Sequence, residues 1–291
     1  MIRSATGADL PALRRLWQEN RHNFFTCGWE DLTDLLQTGT ALVGVWPGEE
    51  AELWGFVVFD APAPTAAPGS LADGALRAAV FDHNLPATAS GNHLIAQAIA
   101  GLQATGHPFQ LTALTREAWL VRLLREARFA VVDHLCLYQR TRHSLPTPAD
   151  CALLRPLRQD ELTTLGALDR LTFPPLWRMA KAELLELIFT CRVQAAEVDG
   201  TLAGYAAISL HPAQDRYDEA QAQLTRLAVH PSFQGRGIGR QLLIDSIAYA
   251  HAHGCYRIFL NTPESNPPAQ HLYESLHFRR HGGRMPVLVF E

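Results

Sequence analysis

Apolar positions recur along this chain at two spacings, and the change from one to the other marks its elements. Leu224, Leu227 and Val229 carry a strand signal, which Pro231 stops because proline has no N–H to give a ladder. Leu242, Leu243, Ile247 and Ala250 then repeat at helical spacing, predicting a helix over 238–253 that Gly254 closes. Cys255-Tyr-Arg-Ile-Phe-Leu-Asn261 reads as the next strand. Upstream, residues 195–209 read as two strands joined at Asp199-Gly200, a strong hairpin signal. Residues 2–20 and 154–168 each read as a short strand and a helix start, with Asp9 and Asp160 in the capping role.

These elements come round twice. Residues 41–59 repeat the hairpin of 195–209, and a polar or proline-rich loop follows each, at 60–74 and 211–222. Leu76-Arg-Ala-Ala-Val80 parallels Leu224–Val229, and the amphipathic segment Trp119–Phe129 parallels Ala269–Phe278. A period of about 145 residues is too long for a solenoid. It predicts two copies of one domain, 1–145 and 151–291, joined by a proline-bearing connector at 144–150. Two unrelated α/β domains of similar element order are the alternative. The halves are not equal. Where the second has Gln234-Gly-Arg-Gly-Ile-Gly-Arg240, the first has Leu85-Pro-Ala-Thr-Ala-Ser-Gly-Asn-His-Leu94, and only Gly91 survives of the glycines. Side chains there crowd an approach that glycine leaves open.

Gly235, Gly237 and Gly239 put bare backbone between a strand and a helix. Such a turn leaves N–H groups unpaired at the positive end of the helix dipole, an anion site whose commonest tenant is phosphate. The dinucleotide fingerprint needs two residues between its last glycines and an acid about twenty residues on, and the spacing here is different. The P-loop needs Gly-Lys before Ser or Thr, and no lysine occurs here. What remains is Gln-x-x-Gly-x-Gly, filled by Gln234, Gly237 and Gly239 after a Leu-x-Val strand and His-Pro. It resembles motif A of the GNAT superfamily of acyl-CoA N-acyltransferases. Downstream, Asn266, Ala269, Tyr273, Glu274 and Phe278 resemble motif B of that family, and two motifs in order are more specific than either alone. His277 departs from the glycine usual at that place, as Arg128 does in the first half. Histidine is among the residues tolerated in the left-handed conformation, at a cost of about 1 kcal/mol.

The resemblance covers 150–291 closely and the first half in outline. It implies an α/β (α+β) chain of two tandem GNAT-like domains, each a mixed, mostly antiparallel sheet flanked by helices. The tandem arrangement with a degenerate first copy is similar to that of the mycothiol synthases. It implies acetyl-CoA as co-substrate, its pyrophosphate held at Gln234, Gly235, Arg236, Gly237, Ile238, Gly239 and Arg240. Leu227, Ala228 and Val229 are implied to offer backbone N–H groups to the thioester carbonyl and the pantetheine. Asn266 either hydrogen-bonds the pantetheine or caps its helix. By resemblance Tyr273 is the acid that protonates the leaving thiolate, a phenol of pKa about 10 against a thiol of about 8.5. Its spacing with Ala269, Leu272 and Leu276 is equally that of a core residue. Thr225 and Arg226 occupy the strand, and none of Asp218, Glu219, His230 and Glu264 stands out as the base.

Composition adds exclusions. The chain of 291 residues is 47% hydrophobic and 19% charged, an ordinary globular balance, and its net charge of −4 gives no basic footprint for nucleic acid. No apolar run approaches membrane-spanning length, and the first ten residues hold no signal-peptide core. Cys27, Cys136, Cys151, Cys191 and Cys255 are scattered as reduced core thiols would be. His251 and His253, two apart on a helix, do not share a face, so no metal is implied. The expectation is a cytoplasmic N-acetyltransferase working from its second half on a small-molecule amine. The first half is expected to be structural or to shape the acceptor pocket. A protein N-terminus or lysine is the second choice of acceptor, and a non-catalytic, coenzyme A-binding regulatory module is the competing class. The sequence carries no signal of oligomeric state.

Overall fold

The computed structural model describes residues 1–60, 72–82, 84–85, 87–104, 106, 108–141, 143–144, 147, 150–213 and 219–290. They form two compact units, Met1–Leu135 with Arg284–Glu291, and Cys136–Gly283. The first runs β1 (Ile2–Ser4), α1 (Leu10–Glu19), β2 (Asn23–Phe25), α2 (Trp29–Thr38), β3 (Thr40–Trp46), β4 (Glu49–Phe59), β5 (Ala72–Phe81), α3 (Ala87–Gln103), β6 (Phe109–Leu114), α4 (Ala118–Glu126) and the start of β7 (Ala130–Arg140), whose residues from Cys136 on belong to the second unit. The second holds β8 (Leu153–Pro156), α5 (Leu162–Thr172), α6 (Lys181–Thr190), β9 (Arg192–Val198), β10 (Thr201–His211), β11 (Gln221–Val229), α7 (Ile238–Ala252), β12 (Arg257–Pro263), α8 (Pro267–Ser275) and β13 (Arg279–Arg280). The last strand, β14 (Met285–Phe290), pairs antiparallel with β6 and with the Ala130–Leu135 part of β7, so it belongs to the first unit. The units therefore differ from the sequence halves 1–145 and 151–291 at their final strands. Strand pairing follows whichever edge offers unpaired N–H and C=O groups, and that carries no local sequence signal.

The sheet order is β1-β3-β4-β5-β6-β14 in the first unit and β8-β9-β10-β11-β12 in the second. In each, one pair of these neighbours is parallel, β5 with β6 and β11 with β12, joined through the crossover helices α3 and α7. The hairpin between β9 and β10 turns on Asp199 and Gly200, both at positive φ (49° and 76°) as its short turn requires.

The repeat extends to irregularities that the sequence pattern does not announce. On β4 and β5, Phe59 faces Leu76 and Val58 faces Ala78, leaving Arg77 as the extra residue of a bulge. On β10 and β11, Ile208 faces Leu224 and Ala207 faces Arg226, leaving Thr225 in the same role. An extra residue resets the alternation of faces. Ala222 and Leu224 pack in the core beneath α7; past the bulge Leu227 and Val229 join that core, while Ala228 joins the one beneath α5 and α6. In the first unit Leu76, Ala79 and Phe81 divide from Ala78 and Val80 in the same way.

Both N-terminal helices are anchored by one device. Arg3 pairs with Asp9 at 2.6 Å, and the Asp9 carboxylate accepts from the Thr6 N–H at 2.8 Å. Arg155 pairs with Glu161 at 2.7 Å, and Glu161 accepts from the Arg158 N–H at 2.9 Å. The counterpart of Asp9 is thus Glu161 and not Asp160, whose side chain is 79% exposed and pairs with Arg158 at 3.5 Å. Arg155 holds the Glu161 carboxyl down at about 2. The helices α4 and α8 close alike: Arg128 (φ 72°) and His277 (φ 65°) take the left-handed conformation. The Phe129 N–H then returns to Leu124 O and the Phe278 N–H to Tyr273 O. The described residues include no helix long and apolar enough to cross a membrane.

Candidate active site

The site of the second unit begins where two parallel strands part. The pairing of β11 with β12 covers only Gln221–Gln223 against Arg257–Phe259. On its other side β11 stays paired with β10 as far as Val229, and the His230 N–H reaches Ala203 O at 2.8 Å. Backbone N–H groups alternate in direction along a strand. Counting back from His230, Ala228 turns its N–H toward β10, and Leu227 and Val229 turn theirs to the side where β12 has left. Of the three strand residues singled out from the sequence, these two present donors to the gap.

The glycine turn follows at once. Gln234 Nε2 donates to Val229 O at 3.0 Å, tying the turn to the end of the strand. Gly235 and Gly237 stand at positive φ, 74° and 85°, a region side chains avoid. A Cβ on Gly237 would come within 2.9 Å of Cys151 Sγ, whereas one on Gly235 would meet nothing. Gly237 is the N-cap of the 15-residue helix α7, and the first backbone bond back into the turn comes from the Gln241 N–H to Gly237 O. Among the described residues no protein acceptor takes the N–H groups of Gly235 through Arg240. Six donors thus open at a helix N-terminus, with the Arg236 guanidinium beside them, 5.2 Å over the Phe233 ring. Arg240 Nη1 donates to Ser275 Oγ at 3.1 Å. A bare-backbone cradle that a side chain would fill suits a pyrophosphate.

Asn266 caps α8, its side-chain oxygen accepting from the Ala269 N–H at 3.3 Å. One turn further on, Tyr273 is 7% exposed and packs against the rings of Tyr138 at 6.1 Å and Phe278 at 6.0 Å. It is a core residue by packing, yet among the described residues nothing hydrogen-bonds its hydroxyl, which is also absent from the sealed, unsatisfied groups. Burial, with Tyr138 adding to it, pushes that hydroxyl up to about 12. Tyr138 is committed elsewhere, donating to Glu274 at 3.0 Å and accepting from Arg280 at 3.2 Å.

Of the groups weighed as a base, Glu219 pairs with Arg257 at 2.8 Å, and His230 Nδ1 accepts from the Ser232 N–H. Asp218 lies outside the described residues. His251 meets Arg140 and His253 meets Tyr249 O, so the two histidines part as their spacing requires. One cluster had no sequence signal. Asp169 of α5, fully buried, binds Arg226 of β11 through Nε at 3.0 Å and Nη2 at 2.7 and 2.8 Å. It also accepts from the Tyr205 hydroxyl at 2.6 Å and the Met179 N–H at 3.0 Å. The Arg226 guanidinium lies 3.5 Å over the Phe173 ring. Desolvation drives the Tyr205 hydroxyl well above its usual range, keeping it a donor to Asp169.

The first unit repeats this framework with different residues in it. Its surviving glycine, Gly91, is buried, and a Cβ there would meet Leu123 at 2.9 Å and Phe81 at 3.2 Å. A Cβ on Gly239 would meet Val229 at 3.4 Å and Leu272 at 3.5 Å, ordinary contact distances. Gly91 is thus required by close packing, while the positive-φ pair has no counterpart among the described residues. With Phe129 matched to Phe278, Leu124 occupies the place of Tyr273.

The model of the acetyltransferase (GNAT) family matches residues 162–278. A glucosamine 6-phosphate N-acetyltransferase of Trypanosoma brucei brucei is 29% identical over 138 residues, 45% of this chain and 92% of that protein. A mycothiol acetyltransferase of Thermomonospora curvata is 36% identical over 86 residues, 30% of this chain and 27% of that one. A tandem GNAT protein from the clavulanic acid biosynthesis pathway, solved without AcCoA, superposes with a TM-score of 0.66 over 100% of this chain and 98% of that one, at 14% identity. That last likeness speaks for fold over the whole length, and the family model speaks for the second unit. Residues 162–278 are an acetyltransferase domain of the GNAT family, carried in a chain of tandem GNAT fold.

Proposed function

We propose that the second unit transfers an acetyl group from acetyl-CoA to the amine of a small molecule. The observation that carries this is the row of unpaired N–H groups from Gly235 to Arg240, beginning where β11 ends and α7 starts. They hold the pyrophosphate, with Arg236 and Arg240 adding charge. The N–H groups of Leu227 and Val229 face the gap left by β12; one holds the pantetheine and the other meets the thioester oxygen as charge develops on it. The amine attacks in its neutral form. Tyr273 gives its proton to the departing sulfur as the C–S bond breaks, and the proton the nitrogen sheds as the amide forms restores the phenol through solvent; the hydroxyl stays protonated at any working pH, and a thiolate forming in equally dry surroundings has its own proton affinity raised. In this reading the first unit, with Leu124 for Tyr273 and no positive-φ glycine pair at this turn among the described residues, is structural.

The trypanosome relative acts, by its name, on an amino sugar phosphate, which makes glucosamine 6-phosphate a rational first acceptor. The test is release of free thiol from acetyl-CoA across a panel of amines and peptides. Turnover with small amines supports the reading, turnover with peptides alone moves the acceptor to proteins, and none with any amine favours a coenzyme A-binding module.

A further inference from the structure

Among the described residues, the Asp169–Arg226 pair occurs only in the unit that has the glycine turn. The spacing that carries Arg3 and Asp9 onto Arg155 and Glu161 carries Trp17 onto Asp169, and the matching bulges carry Ala78 onto Arg226. In the first unit Trp17 packs against Phe25 and Trp29, with ring centroids 6.2 and 5.8 Å away. The same fold is thus built there with an apolar filling. Burying an ion pair where packed apolar groups suffice gives little stability. Packing of the core alone therefore does not account for the pair.

Nε and Nη2 of Arg226 are bound to Asp169, and Nη2 also donates to Trp177 O at 2.6 Å. Nη1 has no partner among the described residues, and it is not among the sealed, unsatisfied atoms, so it reaches solvent. The guanidinium is fixed by Asp169 on one edge and by the Phe173 ring on its face, leaving the two N–H groups of Nη1 directed outward. Arg226 immediately precedes Leu227, whose N–H faces the gap between β11 and β12. The geometry points to Arg226 as a specificity-determining residue whose Nη1 edge receives an anionic group, carboxylate or phosphate, on the acceptor amine. This rests on the acetyltransferase reading for where the acceptor lies. Arginine whose rotamers are already held loses little entropy on meeting an oxyanion.

The experiment is calorimetric titration of the CoA-loaded protein with matched pairs: glucosamine 6-phosphate against glucosamine, and an amino acid against its amide. The anionic member of at least one pair should bind about tenfold tighter, the worth of one charge-assisted hydrogen bond, and the pair preferred tells phosphate from carboxylate. Arg226→Lys keeps a cation for Asp169 but removes the second amino edge, so it should erase the preference and leave CoA affinity unchanged, with a lower melting temperature from the lost bidentate and stacking contacts. If Arg226→Lys does not fold, Arg226→Gln with Asp169→Asn, which leaves no charge buried alone, carries the same test. Equal binding of all pairs, or a preference that survives the substitution, overturns the inference. Failure of the acetyltransferase reading looks different, as absence of CoA binding or of acetyl transfer to any amine.

Discussion

Gly237 and Cys151 stand so close that a Cβ on the glycine would lie 2.9 Å from the cysteine sulfur. The glycine is therefore required twice, for its φ of 85° and for the space beside it. Gly237→Ala should destabilise the protein by about 1–2 kcal/mol from the left-handed backbone alone. Adding Cys151→Ala should return the part due to the contact, a coupling of about 0.5–1 kcal/mol in a double-mutant cycle of denaturant melts. Strict additivity would mean that the sulfur does not matter.

Tyr273→Phe should lower turnover by about 10²-fold or more, the lower range for a lost general acid, and leave CoA affinity within about twofold. With its hydroxyl at about 12 when folded and near 10 when unfolded, Tyr273 favours folding fully below pH 10, and that contribution is lost as pH rises toward 12. Any fall in activity below pH 10 then belongs to another group and should persist in Tyr273→Phe. A pH-rate profile of both proteins decides.

Glu161 is held down at about 2 by Arg155, well under its ordinary 4.5. A depressed carboxyl stabilises above its unfolded pKa and loses that contribution as pH falls through the folded one. Glu161→Gln should therefore cost about 2–3 kcal/mol at pH 7 and far less at pH 2, read from urea melts at both. An equal cost at both pH values would remove the ion pair from the account.

Asn266→Ala should cost about 1 kcal/mol through the lost helix cap, lowering the melting temperature while CoA affinity holds. Lost CoA affinity with an unchanged melting temperature would assign Asn266 to the pantetheine instead.

The features legible in the sequence were those set by near neighbours. The glycine turn, the Asp199-Gly200 hairpin, the helix closed at Gly254 and the left-handed place filled by His277 all depend on residues a few positions apart. Arg226 was not legible, because an extra residue at Thr225 reverses which face the strand presents, and no pattern of apolar positions marks it. Its partner Asp169 lies 57 residues away on another element. The pairing of Met285–Phe290 with Phe109–Leu114 was hidden for a similar reason, since a strand's own sequence does not name its neighbour. Glu161 was not legible in the capping role given to Asp160, because only the fold brings Arg155 to it.

The central claim is a single acetyl-CoA site in the second unit. Calorimetric titration of the whole chain with acetyl-CoA tests it most directly, alongside Gly237→Glu, which fills the cradle with bulk and negative charge. The account predicts one equivalent bound per chain and none in the substituted protein. Two equivalents, or binding that survives Gly237→Glu, would contradict it.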